Sequence, residues 1–85
     1  SRVAQDEKAQ TEVWAKRMGD GSRAVGLFNR SAQPASVTVP WSALRIQGAQ
    51  TVRDLWRQNN LGLFTNEFSA VVPAHGVQLI RVRTK

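Results

Sequence analysis

The sequence predicts an all-β domain, an antiparallel two-sheet β-sandwich of seven or eight strands. Turn signals recur at intervals of roughly 8–14 residues, the punctuation of a sandwich or barrel. The segments between them are apolar on at least one strand face, so each has a side to bury against a second layer. No segment carries a helical repeat longer than one turn. A chain of 85 residues makes one domain with one modest core.

The first ten residues are the least apolar and read as a short first strand or a tether to a preceding domain. The sandwich itself is expected over residues 11–85. Thr11 to Met18 is long enough to cross a sheet, and Arg23 to Asn29 forms its hairpin partner. Between them Gly19-Asp20-Gly21-Ser22 supplies the positive φ of a tight turn. Gly26 lies mid-strand, where a glycine marks a bulge or close packing against a ring such as Trp14. Ser36 to Val39 alternates strictly, with both valines on one face. Trp41 to Arg45, after Pro40, is the one helix candidate, a single turn. Thr51 to Trp56 reads as a strand with apolar side chains on both faces, followed by a turn at Asn59-Asn60-Leu61-Gly62. Glu67 to Val72 puts Phe68, Ala70 and Val72 on one side. Pro73-Ala74-His75-Gly76 then turns the chain into Val77 to Arg83. Apolar residues at both parities predict that this last strand is interior or well paired.

The net charge is +6, from 12 basic and 6 acidic residues. A basic domain attracts phosphate backbones, but these arginines are spread along the whole chain. No like-charge block, aromatic-rich ribonucleoprotein strand or helix-turn-helix pattern accompanies them. A solvated basic surface is therefore favoured over nucleic-acid binding. No apolar run reaches the roughly 18 residues of a membrane span. Cysteine is absent, which removes disulfides, thiolate catalysis and zinc–sulfur sites. The compartment stays open.

Glycoside hydrolysis needs two carboxyl groups about 5–9.5 Å apart. Asp6, Glu7 and Asp20 fall in polar turns and are expected in solvent. Asp54 stands within an apolar strand, where parity places Val52, Asp54 and Trp56 on one face. A buried carboxylate requires donors, and Arg53, Arg57 or a neighbouring turn could supply them, so Asp54 reads as structural. His75 is the only histidine, sits in a Pro/Gly turn and has no second ligand for a metal. It reads as a turn residue. No Gly-x-Ser-x-Gly elbow or phosphate-cradling glycine pattern occurs. Neither a catalytic residue nor a cofactor or metal site is expected. Of the three tryptophans, Trp14 and Trp56 read as core or strand-edge packing, as does Phe68. Trp41, beside a turn, is the ring expected to be exposed and able to stack on a sugar.

Three blocks in order carry a resemblance. They are Glu12-Val13-Trp14-Ala15-Lys16 with Asp20 to Arg30, Val52-Arg53-Asp54-Leu55-Trp56 with Leu61-Gly62-Leu63-Phe64, and Phe68 to Val77 through Val-Pro-Ala-His-Gly. Together they resemble the C-terminal β-sandwich domain of family 27 glycoside hydrolases, the α-galactosidases and α-N-acetylgalactosaminidases, over about residues 11–83. The resemblance implies Greek-key elements and a preceding catalytic (β/α)₈ barrel as partner. That barrel holds the two catalytic aspartates and the galactose pocket, so no catalytic position is carried onto this chain. The parent would be a retaining, cofactor-independent hydrolase of terminal α-galactosides, a class often exported or lysosomal. This domain would be its non-catalytic accessory part, docking through a flat apolar face. The alternative is a carbohydrate-binding module that holds galactose-containing polysaccharide near the enzyme through Trp41.

Overall fold

A computed structural model describes residues 1–85 as eight strands and one short 3₁₀ turn. The strands are β1 (Arg2–Asp6), β2 (Thr11–Arg17), β3 (Arg23–Asn29), β4 (Ala35–Pro40), β5 (Gln50–Asp54), β6 (Asn59–Phe64), β7 (Glu67–Val72) and β8 (Val77–Thr84). The 3₁₀ turn, Trp41–Leu44, links β4 to β5. Six strands form one antiparallel sheet in the order β1-β2-β3-β8-β5-β6, and β4 pairs with β7 in the second. The chain crosses to the small sheet at β4, returns at β5 and β6, crosses again at β7, and inserts β8 between β3 and β5. Such excursions between two layers are the two-sheet sandwich that the strand pattern predicts.

The small sheet covers one face of the large one. Alternation places Val13, Val25, Leu27, Val52, Ile80 and Val82 on that covered face. Val37 and Val39 on β4 and Phe68 and Val72 on β7 meet them from the other layer, and Trp41 and Leu44 close the end. Each of these side chains contributes about 1.5–3 kcal/mol on burial. Phe68 also meets the Phe64 ring edge-on, with centroids 5.0 Å apart.

The β2–β3 turn follows from its chemistry. Gly21 takes φ 88°, and the N–H of Met18 donates to the Ser22 carbonyl. Asp20 is exposed, as expected of a turn residue, yet fully engaged. Its Oδ1 accepts the Ser22 hydroxyl at 2.6 Å and the Ser22 N–H at 3.0 Å, and its Oδ2 accepts Arg83 Nη2 at 2.6 Å. The Ser22 hydroxyl and amide, helped by the Arg83 guanidinium, lower the Asp20 pKa from 3.8 to about 2. A carboxyl whose pKa is depressed by folding adds stability above its unfolded pKa and loses it as pH falls. The Asp20 contribution is therefore expected to disappear between about pH 4 and pH 2. Acid titration followed by NMR should show a folded midpoint below that of an unfolded peptide, and Asp20→Asn should flatten the acid limb of stability. A midpoint at the ordinary carboxylate value contradicts this.

Two local readings are corrected. The strand expected to run to Trp56 stops at Asp54, because the Asp54 carboxylate turns the chain there. The segment Asn59–Phe64, expected to be turn and loop, is instead the edge strand β6. Its glycine and asparagines are tolerated because β6 pairs on one side only, and Gly62 at φ 113° sits beside the register shift between Val52 and Arg53.

Candidate functional site

The outer face of the large sheet is the surface that no other part of the chain covers, and its composition is uneven. On β2, β3 and β8 the middle of that face carries Trp14, Gly26, Phe28, Val77 and Leu79, and the charged Glu12, Lys16 and Arg81 flank them. Gly26 lies directly opposite Trp14 on one side and Leu79 on the other. The ring packed over it belongs to Phe28: a Cβ at Gly26 would stand 2.7 Å from Phe28 Cε1 and 3.4 Å from Leu79 Cδ2. The missing side chain lets the Phe28 ring lie flat along the sheet. Trp14, Phe28, Leu55 and Leu79 thereby line a shallow apolar depression of about 300 Å³. Leu79 also walls a second recess of about 250 Å³, of mixed character, with Trp56, Pro73 and Val77 beside the polar Asp54, Arg57 and Gln78. The two recesses meet at Leu79, so Trp14, Phe28, Leu55, Leu79 and Trp56 form an apolar strip with polar groups at its Trp56 end. Trp14 is 42% and Trp56 65% exposed; Val71, 70% exposed, is opposite in parity to buried Val72 and belongs to the outer side of the small sheet. Single exposed apolar residues are ordinary, and it is contiguous apolar surface that is characteristic of binding sites.

Turn chemistry holds the strip in place. Asp54 is buried, and its Oδ1 accepts the N–H groups of Trp56 at 3.0 Å and Arg57 at 2.9 Å. Gln78 Nε2 approaches Oδ2 at 3.4 Å. Of the donors that the sequence suggests, the turn serves the carboxylate. The Arg53 guanidinium instead donates to Asn60 Oδ1 and the Gln58 carbonyl. The Asx-type turn fixes Leu55 and Trp56 at the edge of the strip. At the opposite edge Glu12 is only 5% exposed although it points to the outer face. Its Oε1 accepts Trp14 Nε1–H at 2.7 Å and Arg30 Nη2–H at 2.7 Å, with Arg2 3.9 Å from Oε2. The carboxylate anchors the indole of Trp14 and is neutralised where it stands.

The remaining residues singled out in the sequence divide between expectation and correction. Trp41 is not the exposed ring. It is 2% exposed, and its Nε1–H donates to the Phe64 carbonyl at 2.9 Å. The groove beside it, about 620 Å³, is lined mainly by polar residues, and the buried indole offers no open ring face to a sugar. Trp14 is not core, because its parity points it away from the small sheet. Trp56 is in neither core nor strand, because the chain has already turned at Asp54. Phe68 is core. His75 sits in the expected turn at φ 56°; its N–H donates to the Ser31 carbonyl, and Gly76 N–H closes the turn onto the Pro73 carbonyl at 2.9 Å. No three His, Cys, Asp or Glu side chains converge as a cation site would need. Phe28, Leu55, Leu79 and Glu12 escaped the sequence reading as site residues. The available signal was apolar character at both parities of a strand, which means burial on two faces as readily as an interior position.

Comparison with known proteins agrees with this architecture. The chain is 40% identical over 70 residues to the alpha-galactosidase of Cyamopsis tetragonoloba, covering 80% of this chain and 17% of that protein. The alpha-galactosidase I structure from Mortierella vinacea superposes with a TM-score of 0.87 at 27% identity, over 95% of this chain and 22% of that one. A GH27 β-L-arabinopyranosidase from Geobacillus stearothermophilus superposes with a TM-score of 0.92, covering 99% of this chain and 19% of that one; at 24% identity that likeness is one of fold. The chain thus spans less than a quarter of the length of each of these three proteins. Residues 8–82 match the family described as the alpha galactosidase C-terminal beta sandwich domain, and the chain belongs to that family.

Proposed function

We propose that this chain is the non-catalytic C-terminal accessory domain of an α-galactosidase-like glycoside hydrolase. Residues 11–85 carry the accessory sandwich, and β1 within residues 1–10 adds its edge strand beside β2. The outer face of the large sheet docks on a preceding catalytic (β/α)₈ barrel, which cleaves terminal α-galactosides. The observation that carries this reading is the apolar strip from Trp14 through Phe28 and Leu79 to Trp56. Covering it removes apolar surface from water at about 25 cal/mol per Å². A rigid sheet laid over one side of a barrel also orders the loops beneath it and keeps water from them. Three of the six carboxylates have other duties: Glu12 and Asp54 are consumed by local donors, and Asp20 is tied to Ser22 and Arg83.

The test is Leu79→Asp, made in the parent polypeptide and in the 85-residue chain. The side chain is only partly buried in the chain alone, so the expected cost there is below about 1 kcal/mol. In the parent an unpaired carboxylate is trapped in an apolar interface, and the expected cost is about 3 kcal/mol or more. Melting curves of both forms make the comparison, and equal shifts refute docking through this face. Titration of galactose, melibiose and galactomannan into the chain is expected to leave its NMR spectrum unchanged. Saturable shifts around an exposed indole would instead favour the carbohydrate-binding module.

A further inference from the structure

The far end of the same outer face is basic, and its charges are not balanced within the chain. Strand register places Lys16, Ala24, Arg81, Arg53 and Asn60 in one row across β2, β3, β8, β5 and β6. Arg81 and Arg53 are direct cross-strand neighbours. Like charges in that position destabilise a sheet. Arg53 is partly satisfied by Asn60 Oδ1 and the Gln58 carbonyl, at 2.9 and 2.7 Å. Neither Arg81 nor Lys16 forms a side-chain hydrogen bond or an ion pair; the three ion pairs of the chain are Arg2–Glu12, Arg30–Glu12 and Arg83–Asp20. The nearby carboxylates are therefore already engaged: Glu12 by Arg30 and Arg2, Asp20 by Arg83. Covering the apolar strip also strips water from this adjoining row. A guanidinium that loses water without gaining a carboxylate is strongly unfavourable.

We infer that the surface docking on this sheet is acidic opposite Arg81 and Arg53, carrying at least one Asp or Glu carboxylate that bridges the two guanidinium groups. The inference rests on the docking reading above and adds the chemistry of the partner surface: apolar opposite Trp14 and Leu79, anionic one strand-row away. The planar fork of arginine suits a bidentate carboxylate. The unsatisfied pair then acts as a register mark. It disfavours the isolated sheet and favours one orientation on the barrel, since a sheet docked the other way round would bury Arg81 against apolar surface.

The decisive variant is Arg81→Glu, because the expected sign reverses with context. In the 85-residue chain it replaces a repulsive cross-strand pair by an attractive one, so the melting temperature should hold or rise by about 1–2 °C. In the parent it sets a carboxylate against a carboxylate, so the melting temperature should fall by about 4 °C or more. Hydroxyl-radical footprinting of Trp14 separates the two ways of failing. If Trp14 is protected in the parent and Arg81→Glu has no effect there, the acidic partner is refuted and docking stands. Equal Trp14 oxidation in the parent and the 85-residue chain refutes docking, and the acidic partner with it. Salt-sensitive binding of a single-stranded oligonucleotide by the 85-residue chain, abolished in Arg81→Glu, would overturn the inference in favour of nucleic acid.

Discussion

Trp41→Ala is expected to cost about 3–5 kcal/mol, the largest loss of any single truncation in this chain. The indole is the largest fully buried side chain and closes the end of the core where the 3₁₀ turn leaves β4. Its removal leaves an indole-sized void and takes away the donor to the Phe64 carbonyl. Native domains have about 0.05–0.15 kcal/mol of stability per residue, so a chain of 85 residues stands near the threshold after such a loss. Urea unfolding followed by circular dichroism should show the midpoint falling by a third or more. Trp41→Phe separates the two causes, because it restores most of the volume but not the donor. That variant should retain part of the loss, about 1–3 kcal/mol, as the cost of the orphaned carbonyl. An unchanged midpoint in Trp41→Ala would mean that the ring lies in solvent after all.

Asn29→Leu, close to isosteric, should cost about 3 kcal/mol or more. Asn29 is fully buried at the end of β3, and its amide is saturated. Nδ2 donates to the carbonyls of Gln33 at 2.7 Å, Val72 at 3.0 Å and Pro73 at 3.2 Å. Oδ1 accepts the N–H of Ser31 at 2.9 Å and its hydroxyl at 2.7 Å. One side chain thus ties β3 of the large sheet to the end of β7 in the small one and shapes the connection into β4. Leucine fills the space but removes all five bonds, and only the Gln33 carbonyl and the Ser31 hydroxyl keep each other as partners. Each buried unsatisfied group costs about 1–3 kcal/mol, and relaxation towards water recovers some of it. Hydrogen exchange should show the loss concentrated at the Asn29–Ala35 connection and the Pro73–Gly76 turn. A variant as stable as the original would mean that the two layers are held by apolar packing alone.

These two residues show where sequence reasoning runs short. Asn29 carries no outward sign: an asparagine before Arg-Ser is an ordinary way to leave a strand. Its importance comes from Val72 and Pro73, more than forty positions away. Trp41 follows a proline beside a turn, which suggests exposure. The 3₁₀ turn rotates it inward, where its Nε1–H reaches the carbonyl of Phe64, more than twenty positions away. Asp54 differs because its bonds need only local chemistry, a carboxylate able to accept amides two and three residues later.

By itself the sequence determined what depends on near neighbours. It specified the Asp-Gly hairpin, the alternation of Val37 and Val39, the turn around His75, the interior position of β8, the two-layer class and the family motifs. Each follows from backbone preferences or from the period of two that a strand imposes on its side chains. The tertiary structure alone decided which of two apolar faces became core. In β3 and β8 both parities are apolar, and a two-stranded layer can cover only one side of a six-stranded sheet. That choice buried Leu27 and Ile80 and left Phe28 and Leu79 outside, beside Trp14. The same choice placed Arg81 against Arg53 on the outer face, since cross-strand register brings together residues that no local rule connects.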